Sequence, residues 1–251
     1  PGGAWDLLSR RIESIPEYRA RFDEIVGTEQ IRFTHISDAL ATFLDFEWRG
    51  VASPYDLYLR NGTEMEPAAM RGMELFYGEA LCADCRSGRL QTDHDVHAIA
   101  MPKNGPGKAA RFESPAQDTG RMRVTGNPED AYAFRTPPLR NVAQTAPYGH
   151  SGAYATLEAV VRHHLDPVDS LRRYDISQAV MPGFQADDLR VLSDPEEIDA
   201  IAAANDLAPV ALADAEVDDL LAFLHALTDP QSIRGALGIP ATVPSGLPVD
   251  Q

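Results

Sequence analysis

The chain has 251 residues, with 22 Lys and Arg against 38 Asp and Glu and a formal net charge of −16. That surplus of carboxylates excludes the basic footprint of a nucleic-acid-binding protein, and no apolar run approaches the ~18–20 residues of a membrane-spanning helix. A hydrophobic content of 44% and a charged content of 24% suit a globular chain that buries a core.

Pro1 is not a translation start, so the chain reads as processed or truncated, and the lack of a leader says nothing about compartment. Residues 1–48 read as helices. Trp5, Leu8, Ile12 and Ile15 recur at helical spacing, and Pro16 interrupts before Tyr18, Phe22, Ile25 and Val26 resume it. Gly27 fits a stop and Thr28 a following N-cap. Ile36, Leu40, Phe43, Leu44 and Trp48 mark the next helix, and Ser53-Pro54 breaks it. Trp5 and Trp48 fall on the apolar faces and are expected in the core. A further helix from Pro67 to Leu81 would deliver Cys82 at its C-terminal end.

Residues 87–155 change character. Gly, Pro, Asn and Asp are frequent, periodicity is poor, and Lys103-Asn-Gly-Pro-Gly107 and Thr125-Gly-Asn-Pro128 signal turns. A loop region of this length is expected to be functional or to wrap a large ligand. Helix resumes after Thr156, an N-cap, with Leu157, Val160, Val161 and His164 on one face and His163 turned towards solvent. Asp214 is expected to cap a last amphipathic helix carrying Val217, Leu220, Leu221, Leu224 and Leu227, ended by Asp229-Pro230. The Pro-rich residues after 238 read as loosely held. No repeat and no strong strand signal is present.

The most informative stretch is Cys82-Ala-Asp-Cys85-Arg86, which holds both cysteines of the chain. The spacing is that of covalent haem c attachment, in which the next residue is a histidine that ligates the iron. Here it is Arg86, whose protonated guanidinium has no lone pair for a metal. Three readings stay open: haem attachment, a vestigial thiol pair, and a zinc site formed by Cys82, Cys85, His94 and His97.

Three segments resemble the bacterial di-haem cytochrome c peroxidase/MauG family. They are Arg71-Gly-Met-Glu-Leu-Phe76 leading into Cys82-Ala-Asp-Cys85, then Phe134-Arg-Thr-Pro-Pro-Leu-Arg-Asn-Val142 with Thr145-Ala-Pro-Tyr-Gly-His-Ser-Gly152, and Ala155-Thr-Leu-Glu-Ala-Val-Val-Arg-His163. Ser53-Pro-Tyr-Asp-Leu-Tyr58 also looks like the family. The resemblance runs in order over residues 5–230. It implies a mainly α, c-type cytochrome fold of the di-haem peroxidase class with long irregular loops. Residues 1–65 would form a helical segment linking to an N-terminal haem domain, after which this chain is expected to begin. Residues 66–230 would form the C-terminal cytochrome c-like domain, and 231–251 a Pro-rich tail.

The resemblance further implies one covalent haem c on Cys82 and Cys85, with His164 at the position of the second iron ligand. Arg86, Arg135 and Arg140 are candidates for the haem propionates, Arg135 and Arg140 alternatively bracing the loop. Backbone carbonyls of Thr145 and Pro147 would contribute to a Ca2+ site. His150 is expected to serve as a structural hydrogen-bonding residue. An exported, periplasmic oxidoreductase is implied, with a protein partner that supplies or accepts electrons or carries the other haem domain. Arg86, and Gly149 in a loop where the family often has a larger residue, favour instead a haem-free structural or interaction subunit.

Overall fold

The computed structural model describes residues 3–27, 30–105, 118–180 and 189–249. Thr28, Pro106 and Gly107 lie outside them. The chain divides into two compact units, Pro1–Ala52 with Asp229–Gln251, and Ser53–Thr228.

In the first unit, α1 spans Ala4–Glu13, α2 Pro16–Val26 and α3 Phe33–Glu47. Pro16 opens α2 where its missing N–H costs nothing, and Gly27 ends it in the left-handed region at φ +62°. The tryptophans are not core residues. Trp5 is 60% exposed and stacks on Phe33, and Trp48 is 52% exposed with its edge against Phe43. Helical periodicity marks an apolar stripe here, but among the described residues Ile12, Ile15, Phe22 and Ile36 on it are only half-buried.

A short helix, Pro230–Arg234, closes the unit. It is capped by Asp229, a buried carboxylate that accepts from the backbone N–H groups of Gln231 and Ser232 with one oxygen and of Val51 and Ala52 with the other. Burial raises the Asp229 pKa, but these four donors outweigh it and hold the group below the usual carboxylate range. The tail is less free than its composition suggests. The Leu237 and Gly238 N–H groups donate to the buried carboxylate of Glu47 at 2.7 and 2.9 Å.

The second unit begins with α4, Pro54–Asn61, which falls within the stretch expected to be helical. Ser53 Oγ accepts from the Asp56 N–H, and the Asp56 carboxylate accepts from the Ser53 N–H, a reciprocal cap. Helix α5 is shorter than its periodicity implied, Pro67–Phe76, and is followed by turns up to Leu81.

The core lies between α5 and α10, Asp214–Ala226. Phe76, Val217, Leu220, Phe223, Leu224 and Leu227 are buried there, each contributing roughly 1.5–3 kcal/mol of transfer free energy. The helices touch at Gly72, where an added Cβ would stand 1.8 Å from the Asp219 carbonyl oxygen. Beside that contact Arg71 holds Asp219 through two hydrogen bonds of 2.7 and 2.6 Å. Asp214 is not the cap of α10 but its first residue. The cap position is Ala213, whose N–H donates to Glu216 at 2.7 Å.

Between these helices the chain is mostly irregular, as its composition implied. A two-residue antiparallel ladder pairs β1, Val96–His97, with β2, Phe134–Arg135, His97 opposite Phe134. Helix α7, Leu157–Leu165, is capped by Thr156 as expected and buries Leu157, Val160 and Val161.

Candidate functional site

Leu81, in the left-handed region at φ +56°, turns the chain out of the α5 segment and into a tight helical turn, Cys82–Asp84. The Arg86 N–H donates to the Cys82 carbonyl at 3.0 Å and the Asp93 N–H to the Cys85 carbonyl at 2.9 Å, so residues 82–93 close on themselves. Both thiols are free and half-buried. Cys82 packs against the main core, and burial pushes its thiol up to about 11 against the opposing charge of Arg86. Burial followed by the Asp93 carboxylate also raises Cys85. At neutral pH both are therefore protonated thiols.

Arg86 is half-buried and donates to the Pro137 carbonyl at 2.8 Å. Burial lowers its basicity, while Cys82, Cys85 and Asp93 act in the opposite direction. Its charge also reaches His164 on α7. That imidazole is held down to about 3, by burial first, then by Arg86 and His163. His164 Nδ1 lies 2.7 Å from the Val160 carbonyl, which requires the proton there and leaves the lone pair on Nε2. Among the described residues Nε2 has no hydrogen-bond partner. Cys82, Cys85 and Arg86 thus share one turn, the charge of Arg86 reaches His164, and that neutral imidazole keeps an unprotonated Nε2.

His163 corrects the sequence expectation. It is fully buried, not turned to solvent. Its Nε2 lies 2.7 Å from the Ile99 carbonyl and its Nδ1 3.0 Å from the Tyr154 hydroxyl. Burial holds it neutral, down to about 4. Helix α7 has covered faces on both sides because the irregular segment around Ile99 packs on it, and a single-helix pattern does not register that second layer.

The other candidates are dispersed. Arg140 makes two 2.8 Å hydrogen bonds to the Asp56 carboxylate and donates to the Arg89 carbonyl at 3.1 Å. Burial raises Asp56, but Arg140 and Ser53 outweigh it and hold the carboxyl below its ordinary value. Arg135, on β2, is exposed, with a long contact of 3.4 Å to the Thr136 carbonyl. Thr145 and Pro147 flank a cis Ala146–Pro147 peptide on the surface, and neither carbonyl accepts a hydrogen bond among the described residues. His150 stacks on Phe134 with ring centroids 3.6 Å apart. At Gly149 the Met101 sulfur would stand 2.7 Å from an added Cβ, so methionine fills the space a larger residue would need.

The sulfur and nitrogen atoms proposed for zinc from spacing alone do not converge as a set. The group that does is Cys85, Asp93 and His97, whose ligand atoms all lie within 4.8 Å of one another. Cys82 is directed into core packing, and His94 is exposed with a left-handed backbone at φ +62°. Asp93 was missed. Its signal was the i, i+4 spacing to His97, which a turn rather than a helix brings to 2.7 Å.

A profile of the family described as "Di-haem cytochrome c peroxidase" matches residues 2–64. The chain is 33% identical to the methylamine utilization protein MauG of Methylorubrum extorquens over 162 residues, covering 64% of this chain and 43% of that protein. It is 32% identical to the cytochrome c551 peroxidase of Nitrosomonas europaea over 157 residues, covering 62% and 44%. A solved MauG-like protein associated with microbial copper homeostasis superposes with a TM-score of 0.66 at 26% identity, over 91% of this chain and 63% of that one. The chain spans less than half the length of these two curated relatives.

Proposed function

Because the chain belongs to the di-haem cytochrome c peroxidase/MauG family, we propose that it is the electron-transferring, c-type haem portion of an exported oxidoreductase of that family. The observation that carries this is the turn shared by Cys82, Cys85 and Arg86, with the charge of Arg86 reaching His164.

The residues present fit a covalent haem c: two cysteines could attach it and one neutral histidine could ligate its iron. Cys82 and Cys85 would hold the macrocycle by thioether bonds. His164 presents Nε2, kept in that tautomer by the Val160 carbonyl. Arg86 stands where the attachment motif otherwise carries its iron-ligating histidine and would offer a positive charge suited to a propionate. Bound haem supplies one-electron chemistry at its iron. The chain's own residues position it, and a desolvated imidazole that stays neutral down to about pH 3 keeps its lone pair available throughout the working range. Thr145 and Pro147 could each offer one carbonyl oxygen to a Ca2+ ion, a hard donor for a hard cation.

The same reading supplies a partner. Helices α1–α3 leave Trp5, Leu40, Phe46 and Trp48 more than half exposed, and the family match covers this stretch. A haem-carrying domain of the same family is the occupant that the relatives' additional length suggests. No helix among the described residues is long and apolar enough to cross a membrane.

The purified chain, made where haem-attachment machinery is active, should show a Soret band and a mass raised by one covalent haem. A colourless protein at its sequence mass sinks the haem reading and leaves the haem-free interaction subunit, which Arg86 favours. In the haem-loaded chain Arg86→His should convert the iron to a two-histidine, low-spin spectrum, and His164→Ala should abolish that conversion.

A further inference from the structure

We propose that, when Cys85 carries no haem, the chain binds zinc or a similar borderline-soft divalent cation through Cys85, Asp93 and His97. The three donor atoms lie within 4.8 Å of one another. Zinc bonds of roughly 2.0–2.3 Å at tetrahedral angles set their donor atoms roughly 3–4 Å apart, so small rotamer changes close the site. A sulfur, an imidazole nitrogen and a carboxylate oxygen are the donor types zinc takes. Three protein donors leave a fourth position for water.

The scaffold is already fixed. The Asp93 N–H is anchored on the Cys85 carbonyl, and His97 is held in the β1–β2 ladder opposite Phe134. The 2.7 Å hydrogen bond between Asp93 and His97 aligns carboxylate and ring in advance. Charge also balances. On binding, Cys85 loses its proton to solvent, and one thiolate with one carboxylate neutralises the dication.

The site and the haem exclude one another at a single atom. A thioether bond to Cys85 removes the thiolate, so attachment at that cysteine displaces the cation. The inference goes beyond the haem reading and stands whether or not haem is ever attached.

The test uses the full chain, produced without haem-attachment machinery, reduced and freed of metal, with Co2+ as the spectroscopic probe and Zn2+ as competitor. Expected is saturable Co2+ binding with a thiolate-to-metal charge-transfer band, displaced by Zn2+. Cys85→Ser should remove the band. Asp93→Asn and His97→Gln should weaken binding by about tenfold or more, and Cys82→Ser should leave it unchanged. Circular dichroism confirms that each variant keeps its helix content. If Cys85→Ser fails to fold, the two conservative variants at 93 and 97 decide. No charge-transfer band in the folded wild-type chain, a band that survives Cys85→Ser, a band lost in Cys82→Ser, or unchanged affinity in both Asp93→Asn and His97→Gln overturns the proposal.

Discussion

The two units use the same helical pattern to different ends. In the second, α5 buries Ala69, Gly72 and Phe76, and α10 buries Val217, Leu220, Phe223, Leu224 and Ala226. In the first, α1 buries only Ser9, α2 nothing, and α3 only Glu47. Both sets of helices carry apolar stripes in sequence. The stripe says that a face is fit for burial, and the surrounding chain decides whether burial happens. A monomer rarely leaves so many large apolar side chains in water without a use for them.

The sharpest way to break this contrast is Phe223→Ala. It removes a ring packed against Tyr55, Phe76 and Tyr77 and should cost about 3–5 kcal/mol in urea unfolding. Gly72→Ala comes next. Its methyl group would meet the backbone of α10, and separating the helices should cost about 1–3 kcal/mol.

Acid supplies a third test. His163 has its pKa lowered from 6.5 to about 4 in the folded chain. The unfolded chain therefore binds the extra proton first. This contribution is fully present above the unfolded value and is lost as pH falls towards the folded one. Unfolding free energy should drop by about 2 kcal/mol between about pH 7 and pH 5 from this group alone, before the carboxylates titrate. A flat profile would contradict its burial. The smallest effect is expected in the first unit. Ile25→Ser, at a position 80% exposed, should change stability by less than about 0.5 kcal/mol. A larger loss there would mean that the face is already covered.

The mainly α class, the irregular middle of the chain and the α7 and α10 helices were legible because local signals and packing agree. Thr156 is a cap in sequence and in structure, and the 157–161 and 217–227 patterns meet a core. The family was legible from the 134–164 string. Legibility failed where a second layer decides. His163 and His164 look like one buried and one exposed neighbour on a helical wheel, yet a distant irregular segment around Ile99 claims the supposedly exposed one. Asp56 was invisible as the partner of Arg140 because 84 residues separate them. Asp93 was invisible beside Cys85 because a turn, not a periodicity, joins them. Trp5 and Trp48 failed for the opposite reason, since each meets one ring, Phe33 or Phe43, and stays more than half exposed.

The Asp229 carboxylate has a topological consequence. By gripping the Val51 and Ala52 amides, it pins the point where the chain leaves the first unit to the point where it returns. Residues 53–228 are therefore a closed excursion whose two ends are neighbours. Such a segment can be joined end to end through a short linker and reopened at a surface turn, yielding a circularly permuted form with the same core.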